Sequence, residues 1–318
     1  MCRQVVVMML GGAKRVSMAR MISRSLRNRG CDPVLLSYEL SEKEPVSTVA
    51  RVCVGKRWRD PQVDDDIMRC ITSAGGDKAM VIPFVDGAIE VAARLARKYP
   101  EVYAPTAGED LSRIFYDKRL SAEEFGRSSL PIPATISPDA LKFPLIAKPR
   151  LGSASKGIVV ARSAEDLRGL DLDDFLLQEY VENATEYTVD CFVGSDGSIL
   201  CVSPRIRLET AGGEVTRTRT IDDPELVEKS ERTLKALGLK GAVTLQFLRG
   251  VDGRALLMEI NPRLGGGAVC TVHAGADIPA LMVDEALGIS IPARVWPKPS
   301  TEIARYMKEV VFSSDGKQ

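Results

Sequence analysis

The segment 255–267, ALLMEINPRLGGG, carries three polar side chains in an otherwise apolar run. On a strand the side chains alternate between two faces, so Glu259 and Asn261 are expected to share a face with Leu257. A carboxylate and an amide on one face supply the oxygens that a hard cation prefers, whereas a solvated edge strand is the alternative. Arg263 follows just beyond the strand. The other face is expected to hold Leu256, Met258 and Ile260.

Gln246, on the preceding apolar run, can join this set if the two runs form a hairpin. GVDG (250–253) can close it with a two-residue loop, which places Gln246 across from Leu257 and diagonal to Glu259. A three-residue loop would turn Gln246 to the opposite face, so the prediction depends on the turn. Gln246, Glu259 and Asn261 together predict a magnesium site that is completed by water and substrate phosphates.

Several basic and glycine-rich positions are suited to the phosphates of a nucleotide. The planar fork of Arg263 suits a phosphate, and Lys148, at the end of an apolar strand, would need an anion if its ammonium is buried. Lys118 follows a helical stretch. The segment 150–158, RLGSASKGI, can wrap phosphates with backbone N–H groups, although it is no Walker A loop and a flexible turn is the alternative. Its candidate residues are Ser153, Ser155 and Gly157.

The segment QEYV (178–181) ends another predicted strand, and Glu186 begins the next one. The backbone of Glu179, Tyr180 and Val181 offers hydrogen-bonding groups to the edge of an adenine. The carboxylate of Glu186 can accept hydrogen bonds from a pair of ribose hydroxyls.

The elements that must position these residues begin with an alternation of strands and helices. This alternation predicts an α/β domain with a parallel sheet and crossover helices. The loop after the first strand, Gly11-Gly12, lacks the GxGxxG spacing, which argues against a nicotinamide oxidoreductase and favours a scaffold beside a substrate cleft. The predicted strands are 5–10, 33–37, 50–55 and 78–84, and the predicted helices are 16–29, 63–73 and 86–98.

The rest of the chain changes in character along its length. A helix ending at Gly126 and a short helix capped by Ser163 accompany strands at 143–149, 157–161 and 175–181. From 186 onwards the pattern is mainly antiparallel, with one helix near 223–237, so the class is α/β with an α+β part. The predicted domains are 1–103, 104–178 and 179–318.

Composition limits the function classes. At 318 residues, with 45% hydrophobic and 27% charged residues, the chain is typical of a soluble protein of two or three domains. The 43 basic residues balance the 43 acidic ones, which predicts neither a nucleic-acid nor a membrane partner. The first apolar run, Val5 to Leu10, is too short for a signal peptide, so we expect a cytoplasmic protein. Seven cysteines without a CxxC pair and one histidine, His273, argue for reduced thiols and against zinc.

In this order, the motifs resemble those of the ATP-grasp superfamily. The chain is specifically similar to carboxylate–amine ligases related to one half of the large subunit of carbamoyl phosphate synthetase. The resemblance covers roughly residues 100–290, and the first hundred residues match the small α/β domain that usually precedes them. MEINPR is its most specific motif and the glycine loop its least. The motifs are Lys118, AKP with Lys148, GSASKGI, QEYV with Glu186, LQF with Gln246, and MEINPR.

The resemblance implies a Rossmann-like N-terminal domain followed by a two-lobed ATP-grasp fold. It implies that both lysines bind ATP phosphates, that the 179–181 hinge and Glu186 bind adenosine, and that Gln246, Glu259 and Asn261 bind Mg²⁺ or Mn²⁺. Many relatives carry a carboxylate in place of Gln246, although the synthetase-like branch also uses Gln. The number of metal ions therefore stays open.

The implied reaction joins a carboxylate and an amine through an acyl phosphate, releasing ADP and phosphate. Both substrates are expected to be small molecules, amino acids in particular, and a homodimer is compatible with the family. A nucleotide-binding regulatory module without turnover is the alternative, against which the intact Glu259, Asn261 and Arg263 argue. His273 either contacts substrate or is a solvated or packed residue at a helix start.

The segment 203–220, SPRIRLETAGGEVTRTRT, has no metal or nucleotide role in this scheme. Arg205 and Arg207 share a strand face, and a loop at Gly212-Gly213 could close over the site and bring Arg217 and Arg219 near it. Because a guanidinium can hold a carboxylate with two parallel hydrogen bonds, we hypothesise that Arg205 or Arg207 binds the substrate carboxylate or the acyl phosphate. A solvated basic hairpin is the alternative.

Overall fold

The structure, a computed structural model, describes residues 3–76, 78–152, 156–291 and 293–312. In this described part, the strands form three sheets of five, three and six strands that follow one another along the chain. The predicted fold class is confirmed: a parallel α/β sheet comes first, and two antiparallel sheets follow it. The domain limits at 103/104 and 178/179 remain predictions.

The first sheet is parallel and has the order β3-β2-β1-β4-β5. Its centre is β1, whose apolar run Val5–Leu10 is buried, as expected for a parallel strand covered on both sides. The helix predicted over 86–98 begins with a short 3-10 turn at 86–88. The elements are β1 (Arg3–Leu10), α1 (Val16–Arg27), β2 (Cys31–Glu39), β3 (Arg51–Val54), α2 (Val63–Ala74), β4 (Lys78–Pro83), α3 (Ile89–Lys98) and β5 (Val102–Tyr103).

The order of this sheet creates a crevice beyond the carboxyl ends of β1 and β4, because the chain leaves these neighbouring strands in different directions. The loop 11–15 follows β1, and Asp86 follows β4. Gly11 has a φ of +71°, and a Cβ at this position would lie 2.7 Å from a methyl group of Val85. Glycine therefore lets the two loops pack closely at the point where a ligand can bind.

The single helix predicted to end at Gly126 is wrong, because the structure has α4 (Glu109–Tyr116) and α5 (Lys118–Arg127). Between them Asp117 is extended, and its carboxylate accepts hydrogen bonds from the N–H groups of Arg119 and Leu120. An Asp at this position caps a new helix more favourably than it continues the old one. Lys118 consequently becomes the first residue of α5.

The second sheet has the order β7-β6-β8, with both neighbours antiparallel to β6. Between β7 and β8 lies a short 3-10 helix at 164–167, where Ser163 and Asp166 form a capping box, so the predicted Ser163 cap is confirmed. The strands are β6 (Leu145–Pro149), β7 (Val159–Ala161) and β8 (Phe175–Glu179).

The third sheet has the order β13-β12-β9-β10-β11-β14. On β9, Val189, Cys191 and Val193 pack into a core that includes α6, whereas Thr188 and Asp190 point to the opposite, polar side of the sheet. This polar side is the floor of the cleft described below. The elements are β9 (Thr185–Val193), β10 (Ile199–Ala211), β11 (Glu214–Thr220), α6 (Pro224–Ala236), β12 (Gly241–Arg249), β13 (Ala255–Asn261), α7 (Val269–His273), α8 (Ile278–Leu287) and β14 (Glu302–Ala304).

The register of β12 and β13 differs from the predicted one in two places. Near the turn, Arg249 pairs with Ala255, one residue further along than the predicted two-residue loop allows. A bulge at Met258 adds a second shift, since it puts two residues of β13 opposite one of β12. The shifts add, so Gln246 lies directly opposite Glu259 rather than opposite Leu257.

The bulge also corrects the predicted faces of β13. Leu257 and Ile260 both pack into the core with α6, so the expectation that Leu257 shares a face with Glu259 and Asn261 is wrong. Met258 and Glu259 both line the cleft, although they are adjacent in sequence. The bulge thus turns the polar end of β13 toward the cleft while its first half remains in the core.

Candidate active site

Two adjoining cavities of about 440 and 450 Å³ lie among the three sheets. The N-terminal cavity is lined by residues such as Arg15, Trp58 and Gly265–Gly267. The hinge cavity is lined by residues such as Lys148 and the segment Gln178–Val181. A set of residues lines both cavities, and we call this set the junction. Among the predicted site residues it contains Lys118, Arg207, Gln246, Glu259, Asn261 and Arg263.

Glu259 is the carboxylate at the centre of the junction. Burial raises the pKa of Glu259, while the positive charges of Lys118, Arg263 and Lys148 lower it and Asp86 raises it further. Among the described residues, no hydrogen bond to its carboxylate contributes to this balance. Gln246 faces it across the strand pair, and the nearly buried Asn261 lies two residues along the same strand. The three predicted metal ligands are therefore brought together.

Arg263 is held by a residue that the sequence did not single out. Its guanidinium forms an ion pair with Asp86, with Nε and Nη2 each 2.6 Å from Oδ1. Its Nη2 also donates to the side-chain oxygen of Asn261 at 3.3 Å. Asp86 follows β4 directly, so the pair fastens the N-terminal sheet to the end of β13. An acidic residue just beyond a buried parallel strand was the available signal.

Two lysines enter the cleft from the second sheet and from α5. Lys148 is only 6% exposed, and its Nζ donates to the side-chain oxygen of Gln178 at 3.0 Å. Burial lowers the pKa of Lys148 to about 8, with Lys118 acting in the same direction and Glu259 and Glu186 opposing it. Lys118 donates from Nζ to the backbone carbonyl of Gly152 at 2.7 Å.

The predicted adenosine-binding residues line the hinge cavity. Glu179, Tyr180, Val181 and Glu186 are all among its lining residues. The carboxylate of Glu179 accepts a hydrogen bond from the backbone N–H of Ala134 at 3.2 Å.

The glycine-rich segment is only partly visible. Gly157, with a φ of +72°, forms part of the turn that precedes β7, but it is not a lining residue of the hinge cavity. Ser153 and Ser155 lie outside the described residues. The predicted phosphate loop therefore remains a prediction.

Arg205 and Arg207, both on β10, have different surroundings. Arg205 is 3% exposed, and its Nε and Nη2 donate to the two oxygens of Asp190 at 2.8 and 3.3 Å. Arg207 is bound to Glu186, with Nη1 and Oε2 2.5 Å apart at the junction. The expectation that Arg217 and Arg219 approach the site is wrong: both form ion pairs with Glu302, and neither is a lining residue of the two cavities.

The triple glycine after β13 gives two guanidinium groups room to lie against the backbone. A Cβ at Gly266 would lie 2.8 Å from Nη1 of Arg15, and a Cβ at Gly267 would lie 2.7 Å from Nη1 of Arg205. Any side chain at these two positions would displace an arginine. The glycines are therefore part of the construction of the N-terminal cavity.

Other sequence expectations concern residues away from the junction. His273 is exposed at the end of α7 and is not a lining residue of either cavity. Of the cysteines that the structure describes, all are free thiols and four are buried. Within the described ranges, His, Cys, Asp and Glu side chains form no cluster of three or more that could hold a metal ion by themselves. In the same ranges no helix has the length and apolarity needed to cross a membrane.

Comparisons with known proteins concern the family and the fold of this chain. Residues 171–309, less than half of the chain, match a family model described as ATP-grasp in the biosynthetic pathway with Ter operon. Over these residues the chain is similar to the ATP-grasp family. The predicted resemblance is confirmed at this level. No curated protein sequence matches the chain.

Solved structures are similar to this chain over almost its whole length. Biotin carboxylase from Campylobacter jejuni, in a beta-gamma-ATP complex, matches with a TM-score of 0.72 and 18% identity, covering 92% of this chain and 73% of the other. N5-carboxyaminoimidazole synthetase from Staphylococcus aureus, complexed with ADP, matches with a TM-score of 0.73 and 18% identity, covering 92% and 80%. The biotin carboxylase domain of 2-oxoglutarate carboxylase from Hydrogenobacter thermophilus, in complex with MgADP, ADP and bicarbonate, gives 0.73 and 18%, covering 92% and 71%. At these identities the likeness establishes the fold.

Sequence reasoning missed three residues of the candidate site and its floor: Asp86, Arg15 and Asp190. Asp86 and Arg15 come from loops of the first sheet, far from their partners in sequence. Asp190 lies on β9 in the apolar pattern TVDCFV, where a lone acidic residue in a buried strand was the signal of a partner. None of these partners could be assigned without the fold.

Proposed function

We propose that this protein is an ADP-forming ligase that joins a carboxylate and an amine into an amide through an acyl phosphate. The observation that carries the proposal is the junction. There, Glu259 has no hydrogen-bonding partner among the described residues and lies opposite Gln246, and Lys118 and Lys148 act on it electrostatically. A partly buried carboxylate without a hydrogen-bonding partner costs free energy, which a bound cation would offset.

The hinge cavity supports a specific pose for ATP. The backbone at 179–181 would meet the adenine edge, Glu186 the ribose hydroxyls, and Lys148 and Lys118 the phosphates. Lys148 is suited to this role because, among the described residues, its buried ammonium has only a neutral amide oxygen, that of Gln178, as a hydrogen-bond acceptor. Glu186 would have to leave Arg207, which frees that guanidinium to meet the γ-phosphate or the acyl phosphate.

The donor set of the junction fits a hard divalent cation. Gln246, Glu259 and Asn261 offer one carboxylate and two amide oxygens, and Mg²⁺ is commonly held by one or two carboxylates with water and phosphate oxygens. Held by Gln246, Glu259 and Asn261, Mg²⁺ or Mn²⁺ would neutralise the negative charge that develops on the phosphates. The single carboxylate leaves the number of ions open.

The reaction is proposed to proceed in two steps. An oxygen of the substrate carboxylate attacks the γ-phosphorus, the bond to the β-phosphate oxygen breaks, and ADP leaves. The amine nitrogen then attacks the acyl carbon, the bond to the phosphate oxygen breaks, and the amine loses a proton. Arg263, held by Asp86, is positioned to stabilise charge on the transferred group. Arg205, held by Asp190, acts by supporting the cleft floor.

The test is a screen of pairs of amino acids for stimulated ADP release in the presence of Mg²⁺, followed by trapping with hydroxylamine. We expect ADP and phosphate as products and an acyl hydroxamate from the carboxylate substrate. Release of AMP and pyrophosphate would contradict the mechanism. Tight ATP binding with no stimulated release by any carboxylate and amine would instead favour the regulatory alternative.

A further inference from the structure

Arg15, at the end of the loop after β1, has an unusual environment for a guanidinium. One nitrogen, Nη2, donates to Glu214 at 3.3 Å. The other, Nη1, is buried and has no hydrogen-bonding partner among the described residues. Burial lowers the pKa of Arg15, and the positive charges of Arg263 and Arg305 act in the same direction, whereas Glu214 raises it. A buried donor without an acceptor is costly, so this nitrogen lacks a group that would satisfy it.

The position of Arg15 separates it from the nucleotide. Arg15 lines the N-terminal cavity but is not a lining residue of the hinge cavity, and the junction lies between the two. The metal ligands and Lys118 belong to the junction, so the transferred phosphate would lie there. An anion at Arg15 is therefore a part of the substrate that lies beyond the reacting group.

The surroundings of Arg15 also limit the charge of that anion. Glu214 is hydrogen-bonded to the same guanidinium, so a second carboxylate is already present beside it. A doubly charged phosphate would meet this like charge at close range, whereas a single carboxylate adds only one charge. The walls include the partly buried Trp58 and the buried Phe84, which suit an apolar portion of a ligand.

We propose that the substrate of this site is an amino acid, and that Nη1 of Arg15 binds the carboxylate that remains unreacted in the product. The carboxylate lies in the N-terminal cavity, beside the Arg15 guanidinium, which rests against the backbone of Gly266. This inference rests on the proposed function, because it is the nucleotide pose that makes the Arg15 carboxylate a spectator. It makes Arg15 a specificity-determining residue rather than a member of the phosphoryl-transfer machinery.

Arg305 provides a matched control. Like Arg15 it is bound to Glu214, with Nη1 and Oε2 3.2 Å apart, but it is not a lining residue of either cavity. Arg305→Gln therefore removes a partner of Glu214 without removing the guanidinium that lines the N-terminal cavity. Arg15→Lys keeps the charge but loses the planar fork, which makes it a second probe if Arg15→Gln fails to fold.

The experiment measures binding by calorimetry to the full-length protein saturated with MgADP. The probes are the twenty common amino acids, and each one that binds is compared with its carboxamide and its decarboxylated amine. We expect wild type and Arg305→Gln to prefer the free carboxylate by at least tenfold. This ratio should fall to about one in Arg15→Gln and to an intermediate value in Arg15→Lys, because hydrogen bonds between ions are the stronger kind. The affinity for MgADP should not change.

Two results would overturn the inference. One is a wild-type protein that binds MgADP but none of the amino acids, or that binds their amides equally well. The other is a carboxylate preference that persists in Arg15→Gln. Both leave the proposed ligase function standing with another substrate class, whereas a protein that fails to bind MgADP removes the proposed function itself.

Discussion

Two carboxylates of the third sheet, Asp190 and Glu259, occupy contrasting environments. Asp190 is fully buried and accepts hydrogen bonds from Nε of Arg205 at 2.8 Å and from the hydroxyl of Thr271 at 2.7 Å. Glu259 lines both cavities and receives no such bond from the described residues. The first charge is compensated by direct hydrogen bonds inside the protein. The second is close to the charges of Lys118, Arg263 and Lys148 but accepts no hydrogen bond from the described residues, so it can bind a ligand.

The ion pair of Arg207 and Glu186 lies between these extremes. The Arg207 side chain is 12% exposed and that of Glu186 is 42% exposed, so water can replace either partner. The degree of burial thus separates a pair that supports the cleft from one that can exchange its partner for a ligand. A charged group in this sheet supports the structure if the loss of its partner would leave it buried and unpaired. It can take part in binding if water or a ligand can replace that partner.

The largest expected effect on stability follows from breaking the buried ion pair of Arg205 and Asp190. Arg205→Met leaves Asp190 buried with a charge and only a hydroxyl donor, and we expect the free energy of unfolding to fall by about 3–5 kcal/mol. Arg207→Met is the matched control, with a loss of about 1 kcal/mol or less because its pair is partly exposed. Urea unfolding of both variants measures the difference. Equal losses would erase the distinction between the two arginines.

The next effect concerns the carboxylate without a partner. Glu259→Gln removes the charge that would hold the cation, so we expect turnover to fall by roughly a hundredfold or more. Stability should stay the same or rise slightly, because a partly buried carboxylate that accepts no hydrogen bond from the described residues is removed. Both quantities are measured on one preparation, by ADP release and urea unfolding. Near-normal turnover at limiting Mg²⁺ would remove Glu259 from the metal site.

The elements of the first sheet and the polar side chains of the junction could be predicted from the sequence. The strands and helices of the first sheet follow from local apolar runs and periodicity, and β1 is buried where its run predicts. The motif MEINPR, with Gln246, indicated which polar side chains would meet. Their meeting requires only one strand pair, so little long-range information was needed.

The predictions that were wrong concern places where local sequence preferences compete with packing against distant residues. The bulge at Met258 arises because Leu257 and Ile260 must both reach the core while Glu259 and Asn261 reach the cleft, which strict alternation forbids. The break at Asp117 reflects a capping preference that helical periodicity does not contain. Arg263 and Asp86 follow strands of different sheets, β13 and β4, so their pairing follows only from the packing of these two parts of the chain.

The third prediction concerns ATP binding by Glu186, which forms the intermediate ion pair with Arg207. If Glu186 leaves Arg207 to bind ribose hydroxyls, Glu186→Gln should weaken ATP binding by about tenfold, since hydrogen bonds to charged groups are worth about 1.5–3 kcal/mol. Wild type should also prefer ATP over 2′,3′-dideoxy-ATP, and the variant should bind the two almost equally. Calorimetry on both nucleotides gives the ratio. A ratio unchanged by the substitution would mean that Glu186 remains with Arg207 when the nucleotide binds.

The smallest effect is a pH dependence caused by Lys148, the cation counterpart of Glu259 in the cleft. Burial lowers the pKa of Lys148 to about 8, so its ammonium is present below pH 8 and is lost as the pH rises through that value. If the charged form binds the phosphates, ATP affinity should fall by about fourfold between pH 7 and pH 8.5, following the protonated fraction. Lys148→Arg keeps its charge throughout this range and should lack the decrease. The ratio of wild-type to variant affinity cancels the ionisation of ATP itself, so this ratio is the quantity to measure. A ratio that stays constant across the range would show that the charge of Lys148 does not contribute to nucleotide binding.

The same ionisation should appear in the kinetics of turnover. A bound phosphate stabilises the ammonium of Lys148, so the decrease in rate at alkaline pH should occur at a higher pH in kcat than in kcat/KM for ATP.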